Sequence, residues 1–87
     1  MAVTYKLSTI KLGSTGAHVL LVQEILKARG FKGKDGQPLK LDGQAGENTM
    51  FAIASYIETR KKQGADLGSP DGWGPKCWGD QNWPKAI

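Results

Sequence analysis

Thiol and imidazole chemistry has almost nothing to draw on in this sequence, which holds one cysteine, Cys77, and one histidine, His18. A single cysteine excludes an internal disulfide framework. Together with one histidine it leaves no ligand cluster for zinc, so neither a metal nor another cofactor is expected. Long apolar runs are missing too: no stretch approaches the ~18 residues that a membrane helix requires. The opening residues, Met1 to Lys6, lack the apolar core of a signal peptide. The expected location is therefore the cytoplasm, or the cell wall or extracellular space if the chain leaves by another route or was cut from a larger exported protein. Acidic residues are the minority, 8 against 12 Lys and Arg, for a net charge of +4. A basic surface is drawn to polyanions such as nucleic acid or an anionic bacterial wall, and the sign of the charge does not choose between them.

What is present fits one domain. Eighty-seven residues, 39% of them apolar, can close one modest core without a deep cleft beside it. We read 1–9 as an N-terminal extension, 10–83 as the domain and 84–87 as a tail. The alternation of Val3, Tyr5 and Leu7 is too short to define a strand. Gly13-Ser14-Thr15-Gly16 precedes a helix running to about Arg29, with Ser14 or Thr15 expected to cap its free N–H groups. Val19, Val22, Ile25 and Leu26 recur at helical spacing, Leu20 and Leu21 broaden the stripe, and Gln23, Glu24 and Lys27 are read as facing outward. Gly30 supplies the stop.

Asp35-Gly36 reads as a tight turn closing a short hairpin that ends at Leu39-Lys40-Leu41. Asp42-Gly43 leads into a second helix from Glu47, with Met50, Ile53, Ala54 and Ile57 as its apolar face and Phe51 and Tyr56 beside it. That helix ends in Arg60-Lys61-Lys62, cations that complement its dipole, and Gly64 closes it. After a linker, Asp71-Gly72-Trp73-Gly74-Pro75 opens a short third helix through Lys76-Cys77-Trp78. The expected fold is thus mainly α, a small three-helix bundle with Asp-Gly turns and a short β-hairpin before the second helix.

Three pieces in this order resemble the peptidoglycan-binding domain found beside bacterial and phage wall hydrolases. The first is Leu12-Gly13-Ser14-Thr15-Gly16 with Val19, Val22-Gln23, Leu26 and Gly30-Phe31. The second is Asp42-Gly43-Gln44-Ala45-Gly46-Glu47-Asn48-Thr49 with Ala52-Ile53 and Tyr56, and the third is Asp71-Gly72-Trp73-Gly74-Pro75-Lys76-Cys77-Trp78. The chain departs from the family at Ile57, often Gln there, and at Cys77, usually Thr, and its last turn is one residue short. The resemblance implies a three-helix module that holds wall glycan or stem peptide and tethers an attached hydrolase, and we expect the chain to be a non-catalytic monomer.

Catalysis has little support in the residues. Glu24, Glu47 and Glu58 fall on polar helix faces, where nothing would desolvate one carboxyl of an acid–base pair. His18 has no serine or cysteine nucleophile at a recognisable motif, and neither Asp-Gly site has the alternating ligands of a calcium loop. The candidate ligand surface is the 40–49 stretch with the third Asp-Gly turn: Lys40, Asp42, Gln44, Asn48, Thr49, Asp71 and Trp73, with Trp83 added as an aromatic near the terminus. For Trp73 and Trp83, stacking on a sugar face and core packing are both open; Trp78 is read as core. The aspartates are read as turn-formers, bonding their own backbone while the glycine supplies positive φ. Two other functions share the features. A helix-turn-helix nucleic-acid binder would need Arg, Lys, Asn or Gln along one helix face, whereas the second helix offers Asn48 and then Ser55, Glu58 and Thr59. A docking or spacer domain would keep the fold and bind protein instead.

Overall fold

The computed structural model describes residues 9–68, Pro70, 72–74 and Cys77. Two helices organise them, α1 (Ala17–Ala28) and α2 (Glu47–Lys62). The molecule is small and mainly helical, and the third helix read at Lys76-Cys77-Trp78 lies, apart from Cys77, outside the described residues.

α1 buries Val19, Val22, Gln23 and Leu26, spaced i, i+3, i+4 and i+7. Leu21 is 46% exposed, so the apolar stripe is narrower than the sequence reading made it. Capping also differs from expectation. The N-cap is Gly16, with no side-chain hydrogen bond. Ser14 Oγ instead accepts from the Lys11 N–H at 3.1 Å, and Thr15 is spent in a bridge to Gln44. Residues that pair with a neighbouring loop are extended, so the turn into the helix passes to Gly16, at φ 120°.

Both helices end in the same way. Gly30 donates to Lys27 O and Phe31 to Leu26 O, at 3.1 and 2.9 Å; Gly64 donates to Lys61 O and Ala65 to Arg60 O, at 3.0 and 2.9 Å. These paired bonds around a left-handed glycine satisfy carbonyls that the helix itself leaves free. Gly30 (φ 84°) and Gly64 (φ 94°) therefore stop the helices as expected.

In α2 the buried residues are Thr49, Ala52, Ile53, Tyr56 and Ile57. This face is rotated from the expected one: Tyr56 lies at its centre, Met50 and Ala54 are only half-buried, and Phe51 is 47% exposed. Aromatic packing sets the rotation. Tyr56 stacks on Trp73, with ring centroids 5.0 Å apart and planes at 28°, and meets Phe31 edge-on at 5.6 Å and 83°. Such pairs contribute about 0.5–1.5 kcal/mol beyond the area they bury.

Loops rather than strands tie the helices together. Ile10 and Trp73 exchange two backbone hydrogen bonds of 2.9 Å. Gly13 donates to Ala45 O, Ala45 to Ser14 O and Gly16 to Gly43 O, at 2.9, 2.8 and 3.0 Å. The 10–16 segment thus pairs with the chain at two of the three Asp-Gly pairs, through Gly43 and Ala45 and through Trp73. The expected hairpin reduces to one antiparallel bridge, Lys32↔Pro38. Gly33 donates to Gln37 O at 3.0 Å inside it, but Pro38 has no N–H to carry a ladder further. The core joins Ile10, α1, α2, Leu39, Ala45, Leu67, Trp73 and Cys77.

Candidate functional site

The Asp42 turn is built from its own residues and from α1. Asp42 Oδ1 accepts from the Gln44 N–H at 3.0 Å, and Gly43 takes φ 70°. Asp35 and Asp66 make the same local bond, to Gln37 and Gly68 at 3.0 and 3.1 Å. Asp42 also has a partner from another element. Gln23, only 1% exposed, shares the two hydrogens of Nε2 among three acceptors, Asp42 Oδ1 (2.9 Å), Gln44 O (3.0 Å) and Thr49 Oγ1 (3.0 Å). Its Oε1 accepts from the Gly43 N–H at 2.9 Å. One buried amide therefore joins α1, the Asp-Gly turn and the first turn of α2, with its donor and acceptor sides both engaged. The outward orientation expected for Gln23 is corrected: a polar residue on the buried stripe is retained there because the turn supplies its partners.

This arrangement holds the Asp42 carboxyl below the usual carboxylate range. The largest cause is the Gln23 hydrogen bond, followed by the Gln44 backbone N–H; desolvation opposes them, and Asp42's own N–H and the nearby Lys40 charge add lesser lowering contributions. The hydrogen bonds and the Lys40 charge favour the ionised form, and desolvation the neutral one.

Next to the clamp lies a groove of about 350 Å³, lined by the 38–40 segment, Asp42 and the 46–49 residues. Of the expected ligand residues it gathers Lys40, Asp42, Asn48 and Thr49. Lys40, Glu47 and Asn48 are exposed. Thr49 is 4% exposed, and its hydroxyl is held by Gln23 and by Gln44 O, so it shapes the groove's wall. Gln44 faces a different, shallower depression shared with Thr15, Leu20 and Leu41. Glu47, which contributes to the groove, was not among the expected ligand residues; its place in the first turn of α2, two residues before Thr49, is the signal that could have included it.

Gly33 packs against Asn48, one of the groove's residues. A Cβ there would stand 2.7 Å from Asn48 Cβ, so only glycine lets the 31–38 loop pack this closely against the start of α2.

Trp73 does not belong to this surface. It is fully buried, held by its bridge to Ile10 and its stack on Tyr56, which corrects its candidacy as an exposed sugar platform. Asp71 and Trp83, the remaining expected ligand residues, lie outside the described residues, as does Trp78. A second groove, about 420 Å³ and mainly apolar, runs between Leu12, Met50 and Phe51, with Lys34, Glu47 and Pro70 at its edges. Sequence reasoning assigned Leu12 to a motif and Phe51 to the helix flank, and so did not anticipate it.

Among the described residues no group of three or more His, Cys, Asp or Glu side chains could hold a metal ion. No helix there is long and apolar enough to cross a membrane. Comparison with family models, curated proteins and solved structures returns no match for this chain.

Proposed function

We propose that this chain is a non-catalytic module that binds bacterial peptidoglycan and targets an attached or partner wall hydrolase. The reading is carried by one observation: the segment with the clearest family-like motif, from Asp42 to Thr49, forms a polar groove with Lys40, and a buried amide from α1 fixes its shape. A rigid scaffold presenting polar groups on a loop is how small binding modules commonly build their sites. The half-open groove supports weak, shallow recognition oriented by hydrogen bonds and charge.

Co-sedimentation with purified sacculi tests it. The folded chain is expected to pellet with sacculi at low salt and to be partly released as salt rises, because screening weakens exposed charge contacts. Complete recovery in the supernatant at low salt, with helical circular dichroism intact, overturns the reading. The apolar groove at Leu12 and Phe51 favours docking to a protein as the second reading, since exposed apolar surface of this kind marks contact sites. Retention of a hydrolase domain, lost in Phe51→Ser while sacculus binding persists, would separate the two.

A further inference from the structure

Within the wall-binding reading, we infer that the groove at the start of α2 takes the peptide part of the polymer, through its free ammonium and carboxylate groups, and not the sugar strand. The groove is lined by charges of both signs, Lys40 as well as Asp42 and Glu47, and by the Asn48 amide, which can both donate and accept. A peptide bearing a free amine and a free carboxylate presents the complementary set. An N-acetylated sugar strand presents mainly neutral hydroxyls and amides, which bring no opposite charge to these groups.

The aromatic complement points the same way. A sugar face is held mainly by stacking on an exposed ring, and no aromatic residue is among the described residues lining this groove. Trp73 and Tyr56 are fully buried and stacked on each other. Phe31 packs edge-on against Tyr56, and the exposed ring of Phe51 belongs to the other groove. The site is also built rather than incidental. Gln23 and Gln44 both bond Asp42 at Oδ1, which fixes the carboxylate while leaving Oδ2 out of those two bonds. At about 350 Å³ the groove falls at the small end of ligand clefts, roughly 300–1,000 Å³, a size suited to a few residues of peptide.

Chemical-shift titration of the full chain distinguishes the possibilities with three probes prepared from one batch of sacculi: the stem peptide released by an amidase, the peptide-free glycan strands, and the intact disaccharide-peptide. The peptide and the disaccharide-peptide are expected to shift the amides of 40–49, and the glycan strands to leave them unmoved. Lys40→Ala and Glu47→Gln should each weaken peptide binding about threefold, the effect of one exposed ion pair, while Phe51→Ser leaves it unchanged. Both substituted positions are exposed, and helical circular dichroism monitors the fold of each variant. Glycan binding without peptide binding overturns this assignment and leaves the wall-binding reading standing. Peptide binding indifferent to both charge variants overturns the location. If no probe binds and sacculi fail to pellet the chain, both fall together.

Discussion

Gln23 shows how much one side chain can organise when it is buried among complementary groups. Replacing it with an apolar side chain removes the acceptor of the half-buried Gly43 N–H and leaves the buried Thr49 hydroxyl only its bond to Gln44 O. Gln23→Leu should therefore cost about 2–4 kcal/mol despite being more apolar, measured as a lowered urea midpoint; an unchanged midpoint would show that the clamp adds nothing to stability. Asp42 is tested by pH. Its carboxyl is held below the ordinary range in the folded chain, so the stabilisation from its ionised form is complete above the unfolded value of about 4 and is lost as pH falls through the lower, folded value. Asp42→Asn keeps an acceptor for Gln23 and Gln44 and removes the titration. Its stability should fall less steeply than that of the parent chain below pH about 4, and parallel acid limbs would refute the assignment. Position 23 was legible in one sense: with 19, 22 and 26 it completes the buried-face spacing. Polarity alone pointed it outward, because its partners come from a loop that helical periodicity does not describe.

The elements were legible where local rules act alone. Gly30 and Gly64 mark the helix ends because a left-handed residue there is a local requirement, and a Cβ at either would meet nothing within 4 Å. Gly30→Ala and Gly64→Ala should thus each cost about 1 kcal/mol from backbone strain alone, measured by thermal or urea unfolding; a loss of several kcal/mol would indicate packing that these positions do not show. Gly33→Ala is a different experiment. Its new methyl collides with Asn48, so the 31–38 loop must retreat, and shifts are expected in the Asn48 and Thr49 amides as well as beside the substitution. The N-cap of α1 and the rotation of α2 were not legible, because Thr15 is committed to Gln44 and Tyr56 to Trp73. Both are choices made by partners distant in sequence.

Over the whole molecule, the segment after α2 is part of the core and not an appendage. Leu67, Trp73 and Cys77 are all buried with residues from both helices. Trp73→Ala should cost about 3–5 kcal/mol, a large share of the roughly 5–15 kcal/mol typical of a domain, whereas Trp73→Phe retains a ring against Tyr56 and should lose less. Cooperative unfolding followed by tyrosine fluorescence and circular dichroism would compare them, and equal losses would refute the stacked role. Ile10 and Trp73 also meet as an antiparallel pair joined by two backbone bonds, while Cys77 beyond them is buried with residues from both helices. Drawing Ile10 away from Trp73 would therefore open a latch of two bonds, with Cys77 still anchoring the later segment in the core.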